Sequence, residues 1–90
     1  MIATITQEDI DASIAQRLAD PGYKPTKHCP ISRRLSADLG APVETSATSA
    51  TIDGRPVRRF KLEGVGNWQF RFDSGHSVKP IEITYTEWSA

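Results

Sequence analysis

The hydrophobic period changes once along this chain, and that change limits its folds more than any other feature. Ile10, Ile14 and Leu18 recur every four residues, and so do Ile31, Leu35 and Leu39. Each set makes one apolar stripe on a helix, which must be laid against a partner. Further on, Trp68, Phe70 and Phe72 alternate with Gln69, Arg71 and Asp73, and Ile81, Ile83 and Tyr85 alternate with Glu82, Thr84 and Thr86. Alternation of this kind marks strands with one buried face. Helices followed by a run of strands predict an α+β fold, with two N-terminal helices packed on one face of a four- to five-stranded antiparallel sheet. At 90 residues the chain is long enough for one core, so residues 1–90 are expected to form a single domain.

Local signals sharpen this outline. Thr6 is placed to cap the first helix, with Asp9 three residues on in a capping-box position and Ile5 and Ile10 spaced as a hydrophobic staple. Glu8 and Asp9 also suit the positive end of the helix dipole. The preceding Ile2-Ala3-Thr4-Ile5 reads as a short strand, and Asp20-Pro21-Gly22 ends the helix. Residues Gly22 to His28 read as a loop. Pro30 suits the first turn of a second helix, which Gly40 and Pro42 stop. Asp53-Gly54 predicts a tight turn between the runs Val43–Ile52 and Val57–Leu62. In the latter, Phe60 and Leu62 should face inward beside Arg58, with Arg59 and Lys61 outward. The stretch from Glu44 to Thr51 is poor in apolar residues and reads as an edge strand or an extended loop. Turns are expected at Gly64–Asn67 and Asp73–His76.

Composition excludes several classes. Eleven Lys and Arg balance eleven Asp and Glu, which argues against a protein that coats nucleic acid through charge alone. No apolar run approaches the length of a membrane span. The opening Met1-Ile2-Ala3-Thr4-Ile5-Thr6 has neither the charged nor the apolar region of a signal peptide. Cys29 stands alone and can form no internal disulfide, which fits a reducing compartment. The cytoplasm is therefore the expected location. Charge is nonetheless uneven: Glu8, Asp9, Asp11 and Asp20 face only Arg17 in the first segment, whereas Lys24, Lys27, Arg33 and Arg34 face only Asp38 in the next. The second segment is a candidate basic strip.

No complete catalytic set is found. Cys29 stands at a helix start beside His28 and two arginines, surroundings that favour a thiolate. Phosphate-handling cysteine loops, however, place their arginine one position further on than Arg34 and rely on glycines that are absent here. A cysteine packed beneath the helix start is the simpler reading. His28 and His76 lack metal-ligand spacing, so no metal and no cofactor are expected. Gly64-Val65-Gly66 precedes an expected strand rather than the helix a dinucleotide site requires. Arg58, Arg59, Lys61, Trp68, Phe70, Arg71 and Phe72 mix basic and aromatic residues as RNA-binding sheets do, but the aromatics are needed to receive the helices. Trp88 falls on the face opposite Ile81, Ile83 and Tyr85 and reads either as a contact residue or as a lid over a sheet edge.

Three motifs in order carry a resemblance: Ile5-Thr6-Gln7-Glu8-Asp9-Ile10, then Cys29-Pro30-Ile31, then Phe70-Arg71-Phe72-Asp73-Ser74-Gly75 with Val78-Lys79-Pro80. The chain resembles small bacteriophage and prophage proteins with a threonine-capped acidic helix start, a Cys-Pro-Ile helix start and a Phe-Asp-x-Gly turn near the end. It departs from them at Ser32-Arg33-Arg34, and residues from Ala41 to Leu62 have no counterpart. The resemblance implies a phage-encoded accessory protein in a bacterial host's cytoplasm. By analogy it would be a non-enzymatic module that binds and inhibits a host protein complex, anti-CRISPR-like in the broad sense. Partner contacts are assigned to Lys24, Lys27, Arg33, Arg34, Arg58, Arg59 and Trp88. The alternative is a small nucleic-acid-binding regulator using Arg55, Arg58, Arg59 and Lys61. A thiol enzyme built on Cys29 stands third. The Ala- and Thr-rich edge strand would allow a homodimer.

Overall fold

The computed structural model describes residues 1–53 and 57–88. Its elements follow the order β1 (Ile2–Ile5), α1 (Gln7–Ala19), α2 (Pro25–His28), α3 (Pro30–Leu39), β2 (Val43–Thr45), β3 (Ser49–Ile52), β4 (Arg58–Glu63), α4 (Trp68–Asp73) and β5 (Ile81–Glu87). The five strands form one antiparallel sheet in the order β1-β5-β4-β3-β2, so the first strand lies beside the last. The fold is α+β, as the change of period requires. No helix among the described residues is long and apolar enough to cross a membrane.

The sheet's inner face is built by alternation: Ala3 and Ile5, Ile83 and Tyr85, Phe60 and Leu62, Ala50 and Ile52, and Val43 are all buried. Helical residues Ile10, Ile31, Leu35 and Phe72, with Cys29 and Val65 from connecting segments, complete the core. Helix α3 packs against both β1 and β2, which are the two edge strands. In a flat sheet the edges of five strands lie about 19 Å apart, too far for a helix roughly 10 Å across to touch both. The sheet therefore curls around α3.

Helix α1 starts as its sequence dictates. Asp9 N–H donates to the Thr6 hydroxyl at 3.2 Å, and Thr6 N–H donates to the Asp9 carboxylate at 2.9 Å, a complete capping box. Helix α3 is capped by the Cys29 sulfur, which accepts from Ser32 N–H at 3.4 Å, and ends at Gly40 in the left-handed conformation (φ 68°), where a side chain would be strained.

Four expectations are corrected. Trp68, Phe70 and Phe72 lie not on a strand but on the short helix α4. Trp68 and Phe72, four residues apart, share one helix face and stack with centroids 5.9 Å apart, while Phe70 turns outward and is 72% exposed. The sheet face they were expected to supply is already filled by the aliphatic and aromatic residues of β4 and β5. Leu18 does not join the buried stripe: it is 82% exposed, because only the first turns of α1 lie over the core, where Ile10 is buried and Ile14 partly so. The run Val43–Ile52 is two strands, β2 folding back on β3 through residues 46–48, with Ser46 N–H donating to the Ser49 carbonyl at 2.8 Å. Within the expected loop from Gly22 to His28, residues Pro25–His28 make a helical turn. The antiparallel pairing of β3 and β4 agrees with the expected hairpin. Gly54, half of its expected turn, lies outside the described residues.

Arg17 ties α4 to α1: its guanidinium donates to the Phe72 carbonyl at 2.9 Å and lies over the Phe72 ring at 4.7 Å. These contacts set opposite fates for the two phenylalanines. Phe72→Ala is expected to cost about 3–5 kcal/mol, the usual range for emptying an aromatic core position. Phe70→Ser should cost no more than about 0.5 kcal/mol, as at other exposed positions. Chemical denaturation of the two variants distinguishes helix from strand, since a strand would bury both rings together.

Candidate interaction surface

The seven residues assigned to partner contacts do not form one surface. Arg34 is committed to the fold. Its Nε and Nη2 each donate to the Asp9 carboxylate at 3.0 Å, and its Nη1 lies 3.5 Å from Asp38. The fork is bidentate, so Arg34 is a clamp between α3 and the start of α1 rather than a free cation. Lys24, Lys27 and Arg33 are exposed. Lys24 precedes α2, where its N–H donates to His28 Nδ1 at 2.8 Å. Lys27 borders a shallow groove shared with Glu44 and Asp53. The basic strip read from the sequence is thus interrupted by one internal ion pair and by nearby carboxylates.

Asp9 shows what this commitment does to a carboxyl group. Burial acts to raise its pKa, but hydrogen bonds from Arg34 and from the Thr6 backbone and hydroxyl, with the Arg34 charge, outweigh it and hold the pKa below the ordinary 3.8. A depressed folded-state pKa contributes stability that is present above the unfolded value and is lost as pH falls through the folded value. Asp9→Asn is therefore expected to lose about 1–3 kcal/mol at neutral pH. The deficit should shrink as pH drops below 3.8. Denaturant titrations of both proteins across that range check the sign; a constant gap would mean that the charge is irrelevant.

Cys29 lies beneath the α3 start, fully buried and ringed by hydroxyls. The Ser32 hydroxyl donates to the Thr26 carbonyl at 2.6 Å and lies 2.7 Å from the Thr45 hydroxyl. The Cys29 sulfur is 3.3 Å from Ser32 Oγ and 3.2 Å from Thr45 Oγ1. With Ser32 donating to Thr26, the Thr45 hydroxyl donates to Ser32 and the thiol can donate to either hydroxyl oxygen, so each hydroxyl of this network has a partner. This network joins α3 to β2 and gives Cys29 a structural role. Labelling of the native thiol by a disulfide reagent should be at least about 100-fold slower than in denaturant, because it must wait for the fold to open. Comparable rates in the two conditions would restore Cys29 as a reactive group. Among the described residues no group of His, Cys, Asp or Glu is arranged to hold a metal ion.

Arg58, Arg59 and Trp88 meet at one end of the sheet, but on opposite faces. Arg58 shares the parity of Phe60 and Leu62, as expected, yet lies beyond the end of the core and is exposed. There its guanidinium grips Glu87 at 2.6 and 3.3 Å and lies 5.2 Å from the Phe60 ring centroid. The hydrogen bond from Arg58, with its charge, keeps the Glu87 carboxyl below its usual range.

Arg59 and Trp88 lie on the outer face, which the described helices leave open. Trp88 N–H donates to the Arg59 carbonyl at 3.0 Å, which extends the β4–β5 ladder by one step. The Arg59 guanidinium then stacks over the indole 4.8 Å from its centroid, and Trp88 remains 44% exposed. Trp88 thus stands exposed beside β4 and β5, two inner strands, rather than over a sheet edge. Around it the register places Thr51 beside Arg59, Thr86 beside Lys61 and Thr84 beside Glu63. Lys61 is 3.5 Å from Glu63. Arg55, grouped with these cations from the sequence, lies outside the described residues. Comparison with family models, curated proteins and solved structures finds no match to this chain.

Proposed function

We propose that the protein is a non-enzymatic protein-binding module whose contact surface is the open face of its sheet, centred on Trp88 and Arg59. The observation that carries this reading is the stacked pair itself. Tryptophan and arginine dominate the energetics of protein interfaces. Here each holds the other in place, so little side-chain freedom is lost on binding. The surrounding threonines are short, β-branched and capable of hydrogen bonding, which suits a flat face that excludes water around the central pair. The wider assignment, a phage-encoded inhibitor of a host complex in the bacterial cytoplasm, is supported by the sequence resemblance alone.

Nucleic-acid binding is the second reading, favoured by the same arginine–indole pair. Charge weighs against it: the outer face carries Arg59 and Lys61 against Glu44, Glu63 and Glu82. A face with more carboxylates than cations repels a phosphate backbone.

Affinity capture from bacterial host lysate, with and without nuclease, separates the two. The expected result is a protein retained in stoichiometric amount after nuclease treatment and reduced at least about tenfold, or 1.4 kcal/mol, by Trp88→Ala. Arg59→Ala should weaken capture in the same direction. Partners that disappear with nuclease would establish the second reading. A protein captured equally by wild type and both variants would place the contact surface elsewhere.

A further inference from the structure

A cleft of about 660 Å³ lies between α4 and the segment leading into β5. Asn67, Trp68, Arg71, Ser77, Val78 and Lys79 line it. This volume falls within the range of small-molecule sites, roughly 300–1,000 Å³. Its walls are fixed to each other by the Trp68 indole N–H, which donates to the Lys79 carbonyl at 2.8 Å, and the return segment leaves α4 through a backbone bond from His76 N–H to the Arg71 carbonyl at 2.9 Å. The cleft is thus held open by the fold rather than formed between loose segments.

Its chemistry is one-sided. Arg71 and Lys79 both line it, and neither takes part in an ion pair among the described residues. Among the described residues no carboxylate lines it. Asn67 and Ser77 add an amide and a hydroxyl, both able to donate. The apolar part of the wall is Val78 and the indole of Trp68, whose ring is backed by Phe72 in a near-parallel stack at 5°. Two unpaired cations with additional donors match a dianion, and a backed indole beside an aliphatic side chain matches a flat ring.

We propose that this cleft binds a phosphorylated small molecule of nucleotide size, with its phosphate at Arg71 and Lys79 and its ring against Trp68 and Val78. A phosphate suits the site better than the acidic segment of a protein, because two cations and two neutral donors line one cleft and a single carboxylate would use only part of them. This proposal is independent of the protein-binding surface, which lies on the outer face of the sheet and shares no residue with the cleft.

Trp68 reports on its own site once Trp88 is replaced, since the chain has two tryptophans. In a Trp88→Phe background, indole fluorescence and calorimetry follow titrations with AMP, adenosine, inorganic phosphate and a hexaglutamate peptide. The expected result is saturable AMP binding, with adenosine and inorganic phosphate each at least tenfold weaker. Arg71→Gln combined with Lys79→Gln should weaken AMP at least tenfold with the melting temperature unchanged, because neither side chain holds an ion pair. Inorganic phosphate binding as tightly as AMP would overturn the ring's place at Trp68. Adenosine binding as tightly as AMP would overturn the role of the two cations, as would AMP affinity indifferent to their loss. Hexaglutamate binding with AMP silent would assign the cleft to an acidic protein segment instead, and no saturable response to any probe would overturn the site altogether.

Discussion

Helix α3 is held along both flanks by polar contacts, and the shape of the molecule depends on that. On one side, Arg34 grips Asp9, the residue that also closes the capping box of α1 at the end of β1. On the other, Ser32 meets Thr45 and the Ser36 hydroxyl accepts from Val43 N–H at 3.1 Å, both in β2. Because β1 and β2 are opposite edges of the sheet, one helix clamped to both fixes the curl. The apolar face of α3, Ile31 and Leu35, then fills the concave side. Hydrophobic burial drives the collapse, but the side-chain hydroxyls and the Arg34 fork decide where the sheet's edges come to rest.

The same clamp bears on how the edges behave. Pro42 and Ser46 direct their backbone bonds toward β3, so the groups of Val43 and Thr45 face the sheet's margin. Val43 N–H is already taken by Ser36. With only three residues in β2, little unsatisfied backbone remains there to recruit another strand, which weakens the case for a homodimer through that edge. The open outer face is different in kind, presenting side chains rather than bare backbone. In the function proposed above, selectivity for a partner comes from Trp88, Arg59 and the threonine rows.

Much of this architecture was legible in residues that act over short distances. The Thr6–Asp9 box, the Pro30 start and Gly40 stop of α3, the inward Phe60 and Leu62, and the alternation of β5 are each determined by neighbours within a few positions. What escaped was of two sorts. The segment from Trp68 to Asp73 is ambiguous in principle, since positions 68 and 72 share a face both in a strand and in a helix, and six residues are too few to show which period applies. Only Phe70 differs between the two, and its exposure depends on whether the rest of the sheet leaves it a place. The hairpin of β2 and β3 was missed because residues 46–48, Ser-Ala-Thr, lack the glycine, proline or asparagine that mark a turn.

Long-range pairing was the second blind spot, and it governs the site as well as the fold. Arg34 and Asp9 are 25 residues apart, and the only local sign that sets Arg34 apart from its exposed neighbour Arg33 is Asp38 four positions on, which says nothing of Asp9. The chain's formal neutrality hides this division of labour. Arg34, Arg58 and Lys61 face carboxylates, Arg17 is spent on a backbone carbonyl, and Arg59 lies on an indole. Such cations orient the structure and contribute little net field to a ligand. Arg71 and Lys79, eight residues apart in the sequence, are brought to one cleft by α4 and its return segment. A balanced composition therefore says little about binding: what matters is which charges the fold has already matched, and only the arrangement in space shows that.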